Sequence, residues 1–297
     1  MAMDMDIKAI WDERRKLVEE HLKQELHRDA PLNETLCASM DYSLMAGGKR
    51  LRPILVMAAA DAVGGQGTDF ITTGVALEMI HTYSLIHDDL PAMDNDDTRR
   101  GKPTNHKVYG AGMATLAGDA LLTMAFEVML RQEGVDAATK LAVVREMSVA
   151  AGANGMVGGQ AIDLESEGKQ IPLERLREMH MGKTGALFRA AVRSGAILAG
   201  ATDDQLAALT KYADAFGLTF QITDDILDVV GDEATIGKPV GSDERNHKST
   251  YVTLLSLEKA QALAKETVDD AIAALASFGP EADFLRDLVQ MLIERKK

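Results

Sequence analysis

The stretch IHTYSLIHDDLPAMD, residues 80–94, closes a long apolar segment with two adjacent carboxylates, Asp88 and Asp89, and places a third, Asp94, just after Pro91. The apolar residues before it recur at the spacing of a helix, which predicts a buried helix from about residue 71 to residue 89. Carboxylates on a buried helix are strongly destabilised unless cations lie nearby. The stretch therefore predicts a helix that presents acids to a cation.

A second acidic cluster, QITDDILD at residues 221–228, repeats this pattern on another apolar helix. At about 3.6 residues per turn, Gln221, Asp224, Asp225 and Asp228 share one face of that helix. A single pair of acids is commonly a solvated surface or a helix cap, but two such clusters on apolar helices favour a metal site. Hard carboxylate oxygens with no paired Cys or His suit Mg²⁺ better than zinc.

Helical periodicity covers most of the remaining chain, and neither a repeat nor an interdomain linker interrupts it. A run such as Ile54-Leu55-Val56 could be a strand in isolation, but it sits inside a longer helical period. The pattern predicts one all-α helical bundle formed by residues 1–297 as a single domain. The predicted helices lie near residues 7–26, 32–45, 52–63, 71–89, 112–133, 137–165, 173–199, 203–230, 251–278 and from 281 onward.

Composition narrows the class of protein. The 297 residues carry a net charge of −14, which argues against a nucleic-acid-binding surface. Cys37 is the single cysteine, so an internal disulfide is excluded. We see no secretory signal at the start of the chain and no run of about 18 apolar residues that would span a bilayer. These features predict a cytoplasmic globular protein in which any anion needs metals or a local basic cluster to bind.

Basic residues stand where such an anion site is needed. Lys49 and Arg52 lie three apart at a predicted helix start, and Arg99-Arg100 follows the first acidic cluster. Lys183 and Lys238 stand in apolar or Gly-rich stretches. Any one of these is more often an ordinary surface charge than a ligand. Together they predict a site with metals for one diphosphate and direct cations for another.

These segments resemble the trans-polyprenyl diphosphate synthases, and the bacterial farnesyl-producing members in particular, from Gly47 to about Tyr251. Asp88-Asp89-x4-Asp94 is similar to the first Asp-rich motif of that family, and Asp224-Asp225-x2-Asp228 to the second. Gly159-Gln160-x2-Asp163 matches a further family signature. The resemblance implies an isoprenoid synthase bundle around a central apolar cavity, a homodimer, and about three Mg²⁺ ions per active site held by the six aspartates.

The resemblance also implies roles for single residues. Isopentenyl diphosphate would be bound by Lys49, Arg52, His81 and Arg100. The allylic diphosphate and its ionising carbon would be held by Arg99, Lys183, Thr184, Gln221 and Lys238. These five residues, together with Asp88, Asp89 and Asp224, would form the catalytic set. The closing Arg295-Lys296-Lys297 is similar to a basic tail that folds over isopentenyl diphosphate.

The implied reaction condenses isopentenyl diphosphate with dimethylallyl or geranyl diphosphate to give (E,E)-farnesyl diphosphate through an allylic cation. Metals stabilise the departing diphosphate, and no protein nucleophile is required. Product length is expected to depend on bulk beneath the first acidic cluster, where Tyr83 and Ser84 lie five and four residues before Asp88. An aromatic residue at position 83 resembles the farnesyl-producing members of the family.

Other interpretations stay open. A geranylgeranyl diphosphate synthase differs mainly in having a smaller or flexible residue in place of Tyr83. A terpene cyclase shares the first motif but carries an Asn/Asp, Ser/Thr and Glu triad in place of Asp224-Asp225-x2-Asp228. A non-catalytic partner subunit tends to lose one acidic cluster, and both are intact here. Thr98 and Val252 replace the family's usual Leu and Pro, at positions that carry no charge chemistry.

Overall fold

The structure is a computed structural model that describes residues 5–231 and 248–294. These residues form an all-α fold, as predicted, and their only strands are a two-residue antiparallel pair, β1 (Thr98–Arg99) and β2 (Lys102–Pro103). The helices are α1 (Met5–Leu26), α2 (Glu34–Leu44), α3 (Leu51–Ala62), α4 (Ile71–Asp88), α5 (Asn105–Tyr109), α6 (Ala111–Leu130), α7 (Ala137–Ala151), α8 (Met156–Ser166), α9 (Leu173–His180), α10 (Ala186–Leu198), α11 (Asp203–Val230), α12 (Tyr251–Leu255), α13 (Leu257–Ala274) and α14 (Asp283–Glu294).

The described residues divide into two compact units, and those from 5 to 57 and from 66 to 144 form the first. Its central pair is α4 and α6, which pack along each other, while α1 and α2 cover α4. The side chains of α4 are buried along most of its length, from Ile71 to Ile86. Burial on nearly every side explains why the sequence of α4 is apolar almost throughout rather than along one stripe.

Residues 58–65, 145–231 and 248–294 form the second unit. Its longest helix, α11, packs against α10 and α13. Thr202 caps the start of α11, because its side chain accepts a hydrogen bond from the backbone N–H of Gln205, whose side chain bonds back. Phe188 and Phe216 meet edge to face with ring centroids 5.2 Å apart. Such aromatic pairs add to the stability gained from burial alone.

The helix pattern differs from the prediction at several points, and the helix predicted over residues 173–199 is α9 and α10 joined by a π-helical turn. The helix predicted over residues 137–165 is two helices, α7 and α8, separated by a turn at residues 152–155. The helix predicted over residues 251–278 is interrupted at Ser256, whose φ of 111° ends α12 and whose hydroxyl caps α13. The short α5 was not predicted at all. Local turn chemistry overrides the helical period at each of these points.

One helix, α6, bears on the expectation that no apolar run would span a bilayer. This helix of 20 residues is long and apolar enough to cross a membrane by length and composition alone, and 39% of its most apolar window is buried. Its buried side contacts α4, α2 and α5. The apolar composition is therefore partly explained by packing within the first unit.

Candidate active site

The loop before α3 brings basic residues together in the first unit. Gly47, Gly48 and Arg50 all have positive φ, at 85°, 139° and 51°. A side chain at Gly48 would be too close to the guanidinium of Arg100, because its Cβ would lie 2.8 Å from Nη1. Arg100 also donates a hydrogen bond to the carbonyl of Gly47. The glycines predicted to end α2 thus let Arg100 approach the backbone beside Lys49, which is exposed.

A buried ion pair holds this loop to α4. The Nη1 of Arg50 donates to Oε1 of Glu78 at 3.0 Å, and its Nη2 donates to the carbonyl of Leu44 at 2.9 Å. Arg50 and Glu78 are each only 2% exposed. Sequence reasoning missed both residues. A lone acid within the apolar run from Val75 to Ile80 was the available signal, since a buried carboxylate needs a partner.

Burial and nearby charges shift the pKa values of Arg52 and His81, two other residues predicted to bind isopentenyl diphosphate. Burial lowers the pKa of Arg52 to about 10; Glu78 opposes the fall and Arg100 adds to it. Burial also lowers the pKa of His81 well below its ordinary value, and the neighbouring charges of Arg52 and Arg100 lower it further. His81 is therefore neutral at physiological pH. A neutral imidazole among arginines can donate a hydrogen bond to an anion without adding charge.

The first acidic cluster lies at the carboxyl end of α4. The backbone N–H of Asp94 donates to the carbonyl of Asp88 at 2.9 Å, which turns the segment back on the helix end. Asp89 is buried, and both of its carboxylate oxygens accept hydrogen bonds from Arg99 at 2.6–2.9 Å. Burial raises the pKa of Asp89, while Arg99 opposes the rise. The structure thus pairs Asp89 with Arg99, the residue predicted for the allylic diphosphate.

Tyr83 and Ser84 occupy the helix turn before that cluster. Tyr83 is 5% exposed, and its ring meets that of His87 edge to face at 5.7 Å. Burial and the charge of Asp88 raise the pKa of Tyr83 to about 12, so the phenol stays neutral. The hydroxyl of Ser84 donates to the carbonyl of His81 at 2.8 Å. Tyr83 therefore presents a bulky neutral side chain one turn before Asp88, while Ser84 is bonded to its own helix.

The second acidic cluster lies on α11 in the second unit. Asp224 is exposed, Gln221 and Asp228 are half-buried, and Asp225 is 7% exposed. The carboxylate of Asp225 accepts a hydrogen bond from the backbone N–H of Tyr251 at 2.7 Å. Asp225 thus anchors the first residue of α12, a contact that the shared-face prediction did not include. Its role as a metal ligand stays a prediction.

Lys183 and Thr184 lie in a π-helical turn, Met181–Gly185, between α9 and α10. Such turns are rare and are often found at functional sites. The Nζ of Lys183 donates to Oδ2 of Asp163 at 2.6 Å. A Cβ on Gly159 would collide with the backbone nitrogen of Lys183. The signature that includes Gly159 and Asp163 therefore fixes the place of Lys183. Lys238 and the residues from Arg295 to Lys297 lie outside the described residues.

Comparisons with known proteins identify the family. A family described as "Polyprenyl synthetase" matches residues 33–283. The farnesyl diphosphate synthase of Micrococcus luteus is 48% identical over 281 residues, which cover 95% of either chain. The geranylgeranyl diphosphate synthase of Cyanophora paradoxa is 45% identical over 285 residues, 95% of this chain and 94% of that one.

A solved structure gives the same answer for the fold. An FPP/GFPP synthase from Zymomonas mobilis superposes with a TM-score of 0.87 at 38% identity, covering 97% of this chain and 99% of that one. The resemblance drawn from the two Asp-rich motifs is confirmed. The chain belongs to the polyprenyl synthetase family.

Proposed function

We propose that the protein is a farnesyl diphosphate synthase that condenses isopentenyl diphosphate with dimethylallyl and then geranyl diphosphate. The observation that carries this proposal is the arrangement of α4. His81, among arginines, lies seven residues before Asp88, which corresponds to about 10 Å along a helix. One helix thus supports a direct cationic site for one diphosphate and a carboxylate site for the other.

The residues of the acidic clusters fit magnesium. Carboxylate oxygens are its preferred protein ligands, and it commonly takes one or two of them together with substrate phosphates. Among residues 5–231 and 248–294, no three His, Cys, Asp or Glu side chains form a ready metal cluster. Asp88, Asp94 and Asp224 would hold Mg²⁺, with Asp89, Asp225 and Asp228 in support, and we propose about three ions per site. When bound, Mg²⁺ stabilises negative charge on the departing diphosphate.

The chain's own residues bind and orient the two substrates. Arg52, Arg100 and Lys49 bind the diphosphate of isopentenyl diphosphate, and the neutral His81 donates a hydrogen bond. Lys183 binds the allylic diphosphate, with Arg99 and Lys238 as further cations. Thr184 and Gln221 place neutral oxygens beside the ionising carbon. Apolar side chains along the helices exclude water from the allylic carbocation.

Tyr83 favours a C15 product. Its buried ring one turn before Asp88 supports the interpretation that it limits the growing chain. The second candidate is a geranylgeranyl diphosphate synthase, because a relative of that name is 45% identical over nearly its full length. The two functions differ in whether farnesyl diphosphate is accepted as a substrate.

The assembly and location belong to the same proposal. The family match spans residues of both compact units, which supports a single polyprenyl synthase domain over residues 1–297. Leu116 and Leu130 on α6 are each more than half exposed, which supports a homodimer that covers this face. We propose a cytoplasmic enzyme that needs no nucleic acid or membrane partner.

Chromatography of reaction products tests the function. The purified protein is incubated with Mg²⁺, labelled isopentenyl diphosphate and one starter, either dimethylallyl, geranyl or farnesyl diphosphate. The first two starters should yield a C15 product, and farnesyl diphosphate should not be consumed. A dominant C20 product would replace the proposal with the second candidate. A cyclic hydrocarbon, or no release of diphosphate at all, would contradict both.

A further inference from the structure

Glu78 is a buried acid in a cluster of arginines. It lies in the middle of α4, between the fully buried Leu77 and Met79, and its own exposure is 2%. Its carboxylate is 3.0 Å from Arg50 Nη1. Removing a carboxylate from water is strongly unfavourable unless charge and hydrogen bonds compensate. The residue is therefore held there by positive charge.

The charge of Glu78 reaches beyond its direct partner. It opposes the lowering of the pKa of Arg52 and of Arg100, which burial and mutual repulsion among arginines cause. A second acid, Glu19, lies 3.7 Å from Nε of Arg50, but its side chain is 38% exposed. A solvated charge of this kind acts more weakly on its neighbours than a buried one. Glu78 is thus the buried counter-charge of the arginines to which isopentenyl diphosphate is assigned.

The chemistry of the condensation gives this counter-charge a purpose. The allylic carbon–oxygen bond breaks, and inorganic diphosphate leaves with that electron pair. The alkene electrons of isopentenyl diphosphate form a new bond from its terminal carbon to the allylic carbon. The CH2 group on the other side of the resulting cation then loses a proton to the departing diphosphate, which forms the new double bond. The isopentenyl diphosphate group stays on the product. The same arginines therefore hold a substrate before the reaction and a product after it.

Equal affinity for substrate and product does not accelerate turnover once the site is filled, and it delays release. We propose that Glu78 is a positioning residue that limits the affinity of the Arg52–Arg100 site for diphosphate, so that each product leaves or moves on to a second condensation. The inference rests on the proposed function, because it takes that site to hold isopentenyl diphosphate.

Binding of inorganic diphosphate without Mg²⁺ tests the inference apart from catalysis. Calorimetric titration in EDTA is run on the wild type, Glu78→Gln, Arg50→Gln and the double variant. Glu78→Gln should bind diphosphate about three- to tenfold more tightly, because one buried negative charge is gone. Arg50→Gln should bind more weakly, and the double variant should return to within about twofold of the wild type. Glu19→Gln is the matched control and should change the dissociation constant less than about twofold.

Steady-state kinetics supplies the readout that a structural role would not move. In Glu78→Gln, KM for isopentenyl diphosphate and kcat should both fall, since tighter product binding slows release. Unchanged or weaker diphosphate binding by Glu78→Gln would overturn the inference. If Glu78→Gln does not fold, the double variant serves in its place. A double variant that binds diphosphate as weakly as Arg50→Gln would also overturn the inference. If Arg52→Ala binds diphosphate as tightly as the wild type, the assignment of this site under the proposed function is contradicted instead.

Discussion

The Nζ of Lys183 lies 2.6 Å from Oδ2 of Asp163, and this contact joins the π-helical turn to α8. Burial raises the pKa of Asp163, but the charge and the hydrogen bond of Lys183, together with smaller effects of Lys248 and His180, lower the pKa overall. Asp163 is therefore ionised at neutral pH and holds the lysine that we assign to the allylic diphosphate.

Asp163→Asn should reduce kcat/KM for the allylic substrate by about one decade, because a charge-assisted hydrogen bond that orients Lys183 is lost. KM for isopentenyl diphosphate should change little. Steady-state kinetics with each substrate varied in turn measures both effects. Glu165→Gln, an exposed acid on the same helix, is the matched control and should behave as the wild type. Equal losses for both substrates would refute a role through Lys183.

The two adjacent acids of α11 should respond differently to substitution. Asp224→Ala should lower turnover by orders of magnitude, because it removes a proposed Mg²⁺ ligand. The melting temperature should stay unchanged, because the side chain of Asp224 is exposed. Asp225→Ala should also lower the free energy of unfolding by about 1.5–3 kcal/mol, because the N–H of Tyr251 loses its buried partner. Denaturant titration and diphosphate-release assays on the same samples separate the two. Near-normal turnover of Asp224→Ala would contradict the metal assignment, and Asp88→Ala provides the parallel test at the first cluster.

Tyr83→Ala should shift the product from C15 toward C20 or longer, because it opens space one turn before Asp88. Ser84→Phe should shift it toward C10. Chromatography of the dephosphorylated products gives the chain length. A large-to-small change in a core can destabilise a protein by about 3–5 kcal/mol, so a thermal melt accompanies the assay. A stable Tyr83→Ala enzyme that still makes only C15 would show that another helix sets the length.

His180 should make stability depend on pH below neutrality. Burial lowers its pKa to about 4, and Lys183 and Lys248 add to the fall while Asp163 opposes it. An unfolded histidine has a pKa of about 6.5, so the unfolded chain binds this proton first as the pH falls. Neutral His180 thus makes its full contribution to the free energy of unfolding above about pH 6.5. That contribution is lost as the pH falls toward 4.

Between pH 7 and pH 5 the loss should be about 2 kcal/mol. Carboxylates also titrate at the acid end, so the comparison is with His180→Gln, in which this contribution is absent. Urea unfolding at both pH values gives the difference. If the two proteins lose equal stability between pH 7 and pH 5, His180 is not buried in its neutral form.

The acidic clusters and most helices could be predicted from the sequence because both depend on local spacing. The period of apolar residues predicted α4 and α11, and their aspartates follow directly from that register. The break at Ser256 could not be predicted this way, because a serine with positive φ leaves no periodic trace. The Arg50–Glu78 pair joins residues 28 apart through burial, which one sequence reveals only as an acid in an apolar run.

Within the candidate site, too, local spacing could be predicted from the sequence and tertiary contacts could not. The sequence shows Lys183 as a cation in an apolar stretch, but neither its π-helical setting nor its close backbone approach to Gly159 follows from the spacing of apolar residues. Asp225 was grouped with its neighbours because helical geometry places it near their face. Its bond to Tyr251, 26 residues along the chain, gives it a further structural role.

The π-helical turn at Met181–Gly185 also sets the rotational phase between α9 and α10. One residue beyond the α-helical period turns everything downstream by about 100° relative to everything upstream. Deleting a single residue here would leave two good helices, yet the apolar side of α10, with Phe188, would point about a quarter-turn away from α11. The extra residue that places Lys183 thus also keeps two helix faces in alignment, so the site and the packing around it share one irregularity.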